Sequence, residues 1–280
     1  MNMTTPSSLI ESTAKAQEVI DKNGNTFHYK VIKFFRDRGW EVLISPYYAD
    51  AITDKPREID IIAEKAFEIR DFADMYKGAV NVRLFVECKY IKGIKGEKDD
   101  GDASVFWFDV RDAEKSEELS CRESRLGQAD LIGPTARHHY FTDSPVAKLF
   151  ATGITPTQEN QVVYKAVNQC LHSLISYRYK SSIISRASKG YLFTTLRTLN
   201  YPLIVTNSLD NLFSVDANSA TLAPTPITQP FQIAVNYISR EGNPEYFLVD
   251  VAGLNELEAL LAAIEQNDLS LIKAKVGWER

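Results

Sequence analysis

Residues 82–90 read VRLFVECKY, and residues 58–63, one hairpin's length upstream, read EIDIIA. Both are short, apolar and rich in β-branched residues, which is the composition of strands. Strict alternation in the first puts Val82, Leu84, Val86 and Cys88 on one face, and Arg83, Phe85, Glu87 and Lys89 on the other. Glu87 and Lys89 therefore project together. In the second stretch Asp60 is enclosed by Ile59, Ile61 and Ile62, which is no pattern for a solvent-facing charge. Two carboxylates brought together across adjacent strands repel unless a cation lies between them, and hard oxygen ligands suit Mg²⁺ or Mn²⁺. A divalent ion so placed orients a phosphodiester and lowers the pKa of an attacking water. A lysine two residues on could position or deprotonate that water, or neutralise developing charge.

Working outward, the spacing predicts helices over 8–22 and 25–38. In the second, Phe27, Val31, Phe34 and Phe35 fall on one face and Gly39 is the stop. A strand follows at 41–45, then a polar loop over 47–56. Residues 92–130 are acidic runs interrupted by Val105-Phe106-Trp107-Phe108, which read as an insertion anchored by its aromatics. Residues 158–179 have the helical period. Val163, Val167, Cys170, Leu171 and Leu174 lie on one side, and Gln161, Lys165, Asn168, His172 and Ser176 on the other. Short strands are expected at 203–207, 211–215, 231–239 and 246–251, and a last helix opens near Asn255, which has capping-box spacing to Glu258. The organisation expected is a core over 1–200 with an acidic insertion at about 92–157. Residues 201–280 are expected to add strands and a helix packed on the same domain.

The chain has 280 residues, 44% apolar and 25% charged, enough for a sizeable core. Its formal charge of −5 excludes a protein that coats nucleic acid by total charge. Charge is nonetheless uneven: 131–200 is net +6, between 96–130 at −6 and 201–280 at −6. A polyanion would seek that band, where Arg178, Lys180, Arg186 and Lys189 interleave with Tyr177, Tyr179 and Tyr191. The three cysteines, Cys88, Cys121 and Cys170, are too far apart in sequence for a CxxC site, which suits a reduced, cytoplasmic setting. No stretch has the length and apolarity of a membrane span, so no membrane partner is expected.

The 27–40 run, Arg57-Glu58-Ile59-Asp60 before Ile61-Ile62, and Val86-Glu87-Cys88-Lys89 resemble the PD-(D/E)xK nuclease superfamily, closest to its Mrr-like restriction endonuclease branch. The resemblance covers about 24–92, with a weaker extension through 158–179. It implies a restriction endonuclease-like α/β fold, a central mixed β-sheet flanked by helices, here with the sheet extended by C-terminal strands. It also implies a metal-dependent deoxyribonuclease that hydrolyses DNA phosphodiester bonds with Mg²⁺ (or Mn²⁺), with a role in restriction or anti-phage defence. Asp60 and Glu87 would bind the metal, and Lys89 would be the motif's lysine. Lys165, Gln169, Arg178, Lys180, Arg186 and Lys189 are the candidate substrate-binding residues. A homodimer is compatible, since cutting both strands needs two sites. The chain departs from the family at His28, where an acidic residue is common. Either His28 replaces it, Glu18 reaches in from the preceding helix, or that ligand is missing. Pro56 also sits four residues before Asp60 instead of beside it.

Two other classes stay open: an inactive nuclease-like module for DNA binding or assembly, and a junction-resolving or repair nuclease. His138-His139 reads as a loop or surface pair, because adjacent histidines in a strand point to opposite faces. His172 reads as an exposed helix histidine.

Overall fold

The computed structural model describes residues 6–22, 24–50, 54–70, 76–91, 103–108, 138–141, 146–152, 162–178, 195–238 and 244–271. The chain opens with α1 (Pro6–Lys22) and α2 (Asn25–Asp37), then β1 (Glu41–Ile44), a small hairpin of β2 (Tyr47–Ala49) and β3 (Pro56–Glu58), and the long strands β4 (Ile61–Arg70) and β5 (Tyr76–Lys89). There follow β6 (Ser104–Phe108), a 3₁₀ turn at His139–Phe141, β7 (Val146–Thr152), α3 (Val162–Tyr177) and β8 (Thr195–Thr206). The last elements are β9 (Leu212–Asp216), β10 (Thr225–Pro226), β11 (Phe231–Ile238), β12 (Pro244–Gly253), α4 (Leu257–Ala263) and a π-helical turn at Ile264–Asp268. No helix among the described residues is long and apolar enough to cross a membrane.

The protein is α/β, built on a mixed sheet of ten strands in the order β1-β4-β5-β8-β12-β11-β7-β6-β9-β10. β1, β4 and β5 form an antiparallel meander. α3 then returns the chain so that β8 joins β5 in parallel, the crossover that parallel pairing requires. The C-terminal strands belong to the same sheet, β12 pairing β8 in parallel and β11 in antiparallel.

Alternation along β5 divides the core as the sequence implies. Val82, Leu84, Val86 and Cys88 pack with Phe27, Val31, Ile32 and Phe35 of α2 and with Leu257, Leu260 and Leu261 of α4. Phe85 faces the other way, into Ile62, Ile204 and the Val163, Val167, Cys170 and Leu174 stripe of α3. Gly39 stops α2 for a physical reason. At φ 75° it lets its own N–H reach Arg36 C=O while Trp40 N–H reaches Phe35 C=O, and the Trp40 and Phe35 rings meet edge to face. On the α3 side, buried Arg83 pairs with buried Glu64 at 2.6 Å and donates to Tyr177 C=O at 3.2 Å, tying the end of α3 to the sheet.

Three expectations are corrected. Residues 47–56 are not simply a polar loop: Tyr47–Ala49 pairs with Pro56–Glu58, because buried Tyr48 needs a fixed place against α3. The Val105–Phe108 stretch does not merely anchor an insertion. It lies in β6, inside the sheet between β7 and β9, with Phe106 and Phe108 packed on Phe231. The last helix starts later than expected, with Glu256 as N-cap and no side-chain cap bond. Leu254 N–H is still tied to Thr206 C=O and Glu256 N–H to Gly253 C=O, so the backbone is turning at Asn255.

Candidate active site

The antiparallel ladder of β4 and β5 ends with Ile61 opposite Val86. One step further, Asp60 lies opposite Glu87, in a bend whose carbonyl accepts from Ser45 N–H at 2.8 Å. Released from the ladder, the two residues bond through side chains instead. Asp60 Oδ2 accepts from Cys88 N–H at 2.8 Å, and Asp60 N–H donates to Glu87 Oε1 at 3.3 Å. Lys89 Nζ donates to the other oxygen, Glu87 Oε2, at 2.8 Å. The three residues singled out from sequence thus meet where β5 and its parallel neighbour β8 end, Lys89 standing in register with Thr206.

Burial differs sharply within the group. The Glu87 side chain is wholly enclosed, whereas those of Lys89 and Asp60 are 19% and 18% exposed and His28 is 32% exposed. Solvent therefore enters past His28, Asp60 and Lys89, and Glu87 forms the floor. Burial pushes the Glu87 carboxyl up to about 7, with Asp60's charge adding and Lys89's ammonium opposing. Glu87 in turn raises Lys89 above its ordinary value despite burial. Such a pair of crowded carboxylates is a place where a dication relieves strain that protein charge leaves.

Asp60 has two further neighbours suited to metals. His28, projecting from α2, brings Nε2 within 3.6 Å of Asp60 Oδ2, and one ligand atom each from His28, Asp60 and Cys88 lies within 4.8 Å of the others. Burial and the two carboxylates hold the Cys88 thiol well above its usual range, so it is protonated and a poor ligand for a hard ion. His28 therefore occupies the place beside Asp60, while Glu18 sits exposed on α1.

The β2–β3 hairpin fastens this end of the sheet to α3. Gln169 Nε2 donates to Glu58 C=O at 3.2 Å, Tyr48 Oη donates to Gln169 C=O at 3.4 Å, and Tyr177 Oη donates to Tyr47 C=O at 2.8 Å. Buried Asp50 faces His172 Nδ1 at 3.2 Å and Arg57 Nε at 3.4 Å. His172 is thus half-buried against a carboxylate, contrary to the exposed role expected, because the hairpin covers its side of the helix. Tyr48 and Asp50 escaped sequence reasoning, since a three-residue strand carries no period.

Among the candidate substrate-binding residues, Lys165 is exposed on α3, Gln169 serves the hairpin, and Arg178 is half-buried just beyond α3. Lys180, Arg186 and Lys189 lie outside the described residues, as do Gln161, Tyr179 and Tyr191.

The largest correction concerns His138 and His139. They are not a surface pair: His139 is enclosed and His138 half-buried, 16% exposed. The 3₁₀ turn sends both rings to one side, stacked at 4.9 Å, where a strand would have parted them. Asp268 and Asp250 receive them.

No family model matches this chain, and no match is found among curated proteins or solved structures.

Proposed function

We propose that the protein is a metal-dependent deoxyribonuclease with a restriction endonuclease-like core, hydrolysing DNA phosphodiester bonds at Asp60, Glu87 and Lys89. The observation that carries this reading is the convergence of Asp60 and Glu87 at the end of the β4–β5 ladder, with Lys89 Nζ 2.8 Å from Glu87 Oε2. An α/β sheet covered by helices on both faces supports it further.

The donor set fits a hard divalent ion. Asp60's charge adds to the cost of ionising Glu87, and His28 Nε2, 3.6 Å from Asp60 Oδ2, stands beside the first carboxylate as a nitrogen donor. Asp60 and Glu87 would hold Mg²⁺ or Mn²⁺, which supplies Lewis acidity at the phosphate and a water of lowered pKa. Lys89, an ammonium sustained by the adjoining carboxylate, would place its positive charge against the phosphate oxygens as they gain charge. Gln169, through Glu58 C=O, would hold the bend that presents Asp60, and the basic band at 131–200 would grip the backbone. Cutting both strands of a duplex needs two such sites, which a homodimer provides. A part in restriction or anti-phage defence follows from the family resemblance.

The test is relaxation of supercoiled plasmid in Mg²⁺ or Mn²⁺ by wild type, Asp60→Asn, Glu87→Gln and Lys89→Met. Cleavage by wild type, abolished by chelator and in all three variants, supports the reading; equal cleavage by the variants removes it. The second reading, a nuclease-like binding module without chemistry, is favoured by His28 standing where the family carries an acid. It predicts DNA binding with no divalent ion bound.

A further inference from the structure

Away from that site, six polar side chains meet on the α2 and α4 face of the sheet. They come from the 3₁₀ turn and the residue before it (His139 and His138), β8 (Tyr201), β11 (Gln232), β12 (Asp250) and the π-helical turn (Asp268). Asp268 Oδ2 is the hub. His139 Nδ1 lies 2.6 Å from it, Tyr201 Oη 2.7 Å and His138 Nε2 3.2 Å. One carboxylate oxygen has two lone pairs, so three donors overcommit it, whereas Asp268 Oδ1 receives His139 N–H at 2.8 Å. On the far side, His139 Nε2 meets Asp250 Oδ2 at 3.2 Å, and Gln232 Nε2 holds Asp250 Oδ1 at 3.2 Å.

We propose that this cluster is a structural site for one borderline transition-metal ion, Zn²⁺ by its donor set, bound by His138 Nε2, His139 Nδ1, Asp268 Oδ2 and Tyr201 Oη. Four donors of two nitrogens and two oxygens suit tetrahedral zinc, and bonds of roughly 2.0–2.2 Å put neighbouring ligand atoms ~3.3 Å apart. Three of these atoms lie 2.6–3.2 Å from Asp268 Oδ2, and the ligand atoms of His138, His139 and Asp268 are within 4.8 Å of one another, a span that side-chain movement can bring to this spacing. Asp250 is then the carboxylate that metal-bound histidines carry on their second nitrogen, and Gln232 orients it.

Charge favours the exchange. Without an ion, His139 lies between two carboxylates as a cation, so the enclosed cluster is net −1. Binding Zn²⁺ releases the Nδ1 proton of His139 to solvent and, with Tyr201 bound as the neutral phenol, leaves two carboxylates against one dication, which is neutral. His138 is neutral by its contacts, its Nδ1 being the acceptor of a backbone N–H. Tyr140 N–H meets His138 Nδ1 at 3.2 Å. The ion moves that ring's proton from Nε2 to Nδ1 and gives up this contact. Loaded, the site ties the 138–141 turn, on the far side of the acidic stretch, to β8 and the C-terminal turn.

The test uses the full chain, purified without immobilised-metal chromatography, stripped with chelator and titrated with Co²⁺ as a spectroscopic stand-in, then with Zn²⁺. The expected result is a strong tetrahedral visible spectrum saturating at about one ion per chain and bleached by Zn²⁺. It should vanish in His138→Gln, which buries no new charge, and persist in the Asp60→Asn, Glu87→Gln double variant. Asp268→Asn should also abolish it, and His138→Gln stands alone if that variant does not fold. Absence of the spectrum in wild type, its survival in His138→Gln, or its loss in the double variant overturns the proposal.

Discussion

The site around Asp60 and the cluster around His139 are both made of carboxylates and imidazoles at the same sheet, yet they hold charge in opposite ways. At the end of the β4–β5 ladder Glu87 is enclosed and accepts the Asp60 N–H while Asp60 is 18% exposed, and burial pushes Glu87 up to about 7. At His139 each acid has an imidazole against it, and the ring between them is raised to about 10 while Asp268 is held below its ordinary value. The first arrangement stores unfavourable charge and is the kind associated with chemistry. The second balances most of its charge within the protein and leaves the remainder to an ion. The lesson is that burial alone does not mark a reactive group; what matters is whether the protein itself supplies the counter-charge.

That contrast can be broken in four places. The largest effect is expected at the open site. Asp60→Asn or Glu87→Gln should lower metal-dependent plasmid cleavage by roughly 10⁴-fold, about 5.5 kcal/mol of barrier, with the circular dichroism spectrum unchanged. The closed cluster should do the reverse. His139→Leu leaves two enclosed carboxylates without their cation and should cost about 4 kcal/mol in urea unfolding. A mild loss there, or unfolding by Glu87→Gln, would break the contrast.

A smaller effect separates the two by pH in metal-free protein. Glu87 is raised in the folded state, so the folded chain binds more protons than the unfolded one between about 4.5 and 7. Its stabilisation is complete below that window and is lost as pH rises through 7, a fall of about 3 kcal/mol that Glu87→Gln should flatten. His139 is also raised, and its contribution declines only from 6.5 toward about 10. Asp268, being lowered, contributes above its ordinary value and loses that contribution in acid. A wild-type unfolding curve flat from 4.5 to 7 would contradict the Glu87 assignment. The smallest effect is expected for Gln169→Ala, which should cost about 1 kcal/mol of stability and slow cleavage modestly, since it loosens the bend at Asp60 without touching the acids.

The same contrast explains what could be read from the sequence. Glu87 and Lys89 sit two apart on one strand and Asp60 a hairpin away, so the period of a strand brings them together from local pattern alone. The helices were legible for the same reason, as was Gly39 with its positive φ, but the long strands only in part: 58–63 was read as one strand where Glu58 ends β3 and β4 runs from Ile61 to Arg70, and the first halves of β5 and β8 went unread. The His139 cluster joins residues from five separate elements, and no spacing in the chain relates His139 to Asp250 or Asp268. Two adjacent histidines could suggest burial on one side only if a 3₁₀ turn were anticipated, and a three-residue turn leaves no signature. β6 was hidden in the acidic stretch because its partners, β7 and β9, lie well downstream. Tyr48 and Asp50 were hidden because β2, which carries Tyr48 and ends just before Asp50, is shorter than any period.

Calorimetric titration of Mn²⁺ into zinc-saturated wild type, Asp60→Asn and Glu87→Gln addresses the claim on which the functional reading turns. If the two carboxylates share one divalent ion, wild type binds Mn²⁺ and each single variant loses that binding. Binding of equal strength in either variant, or none in wild type, would contradict it.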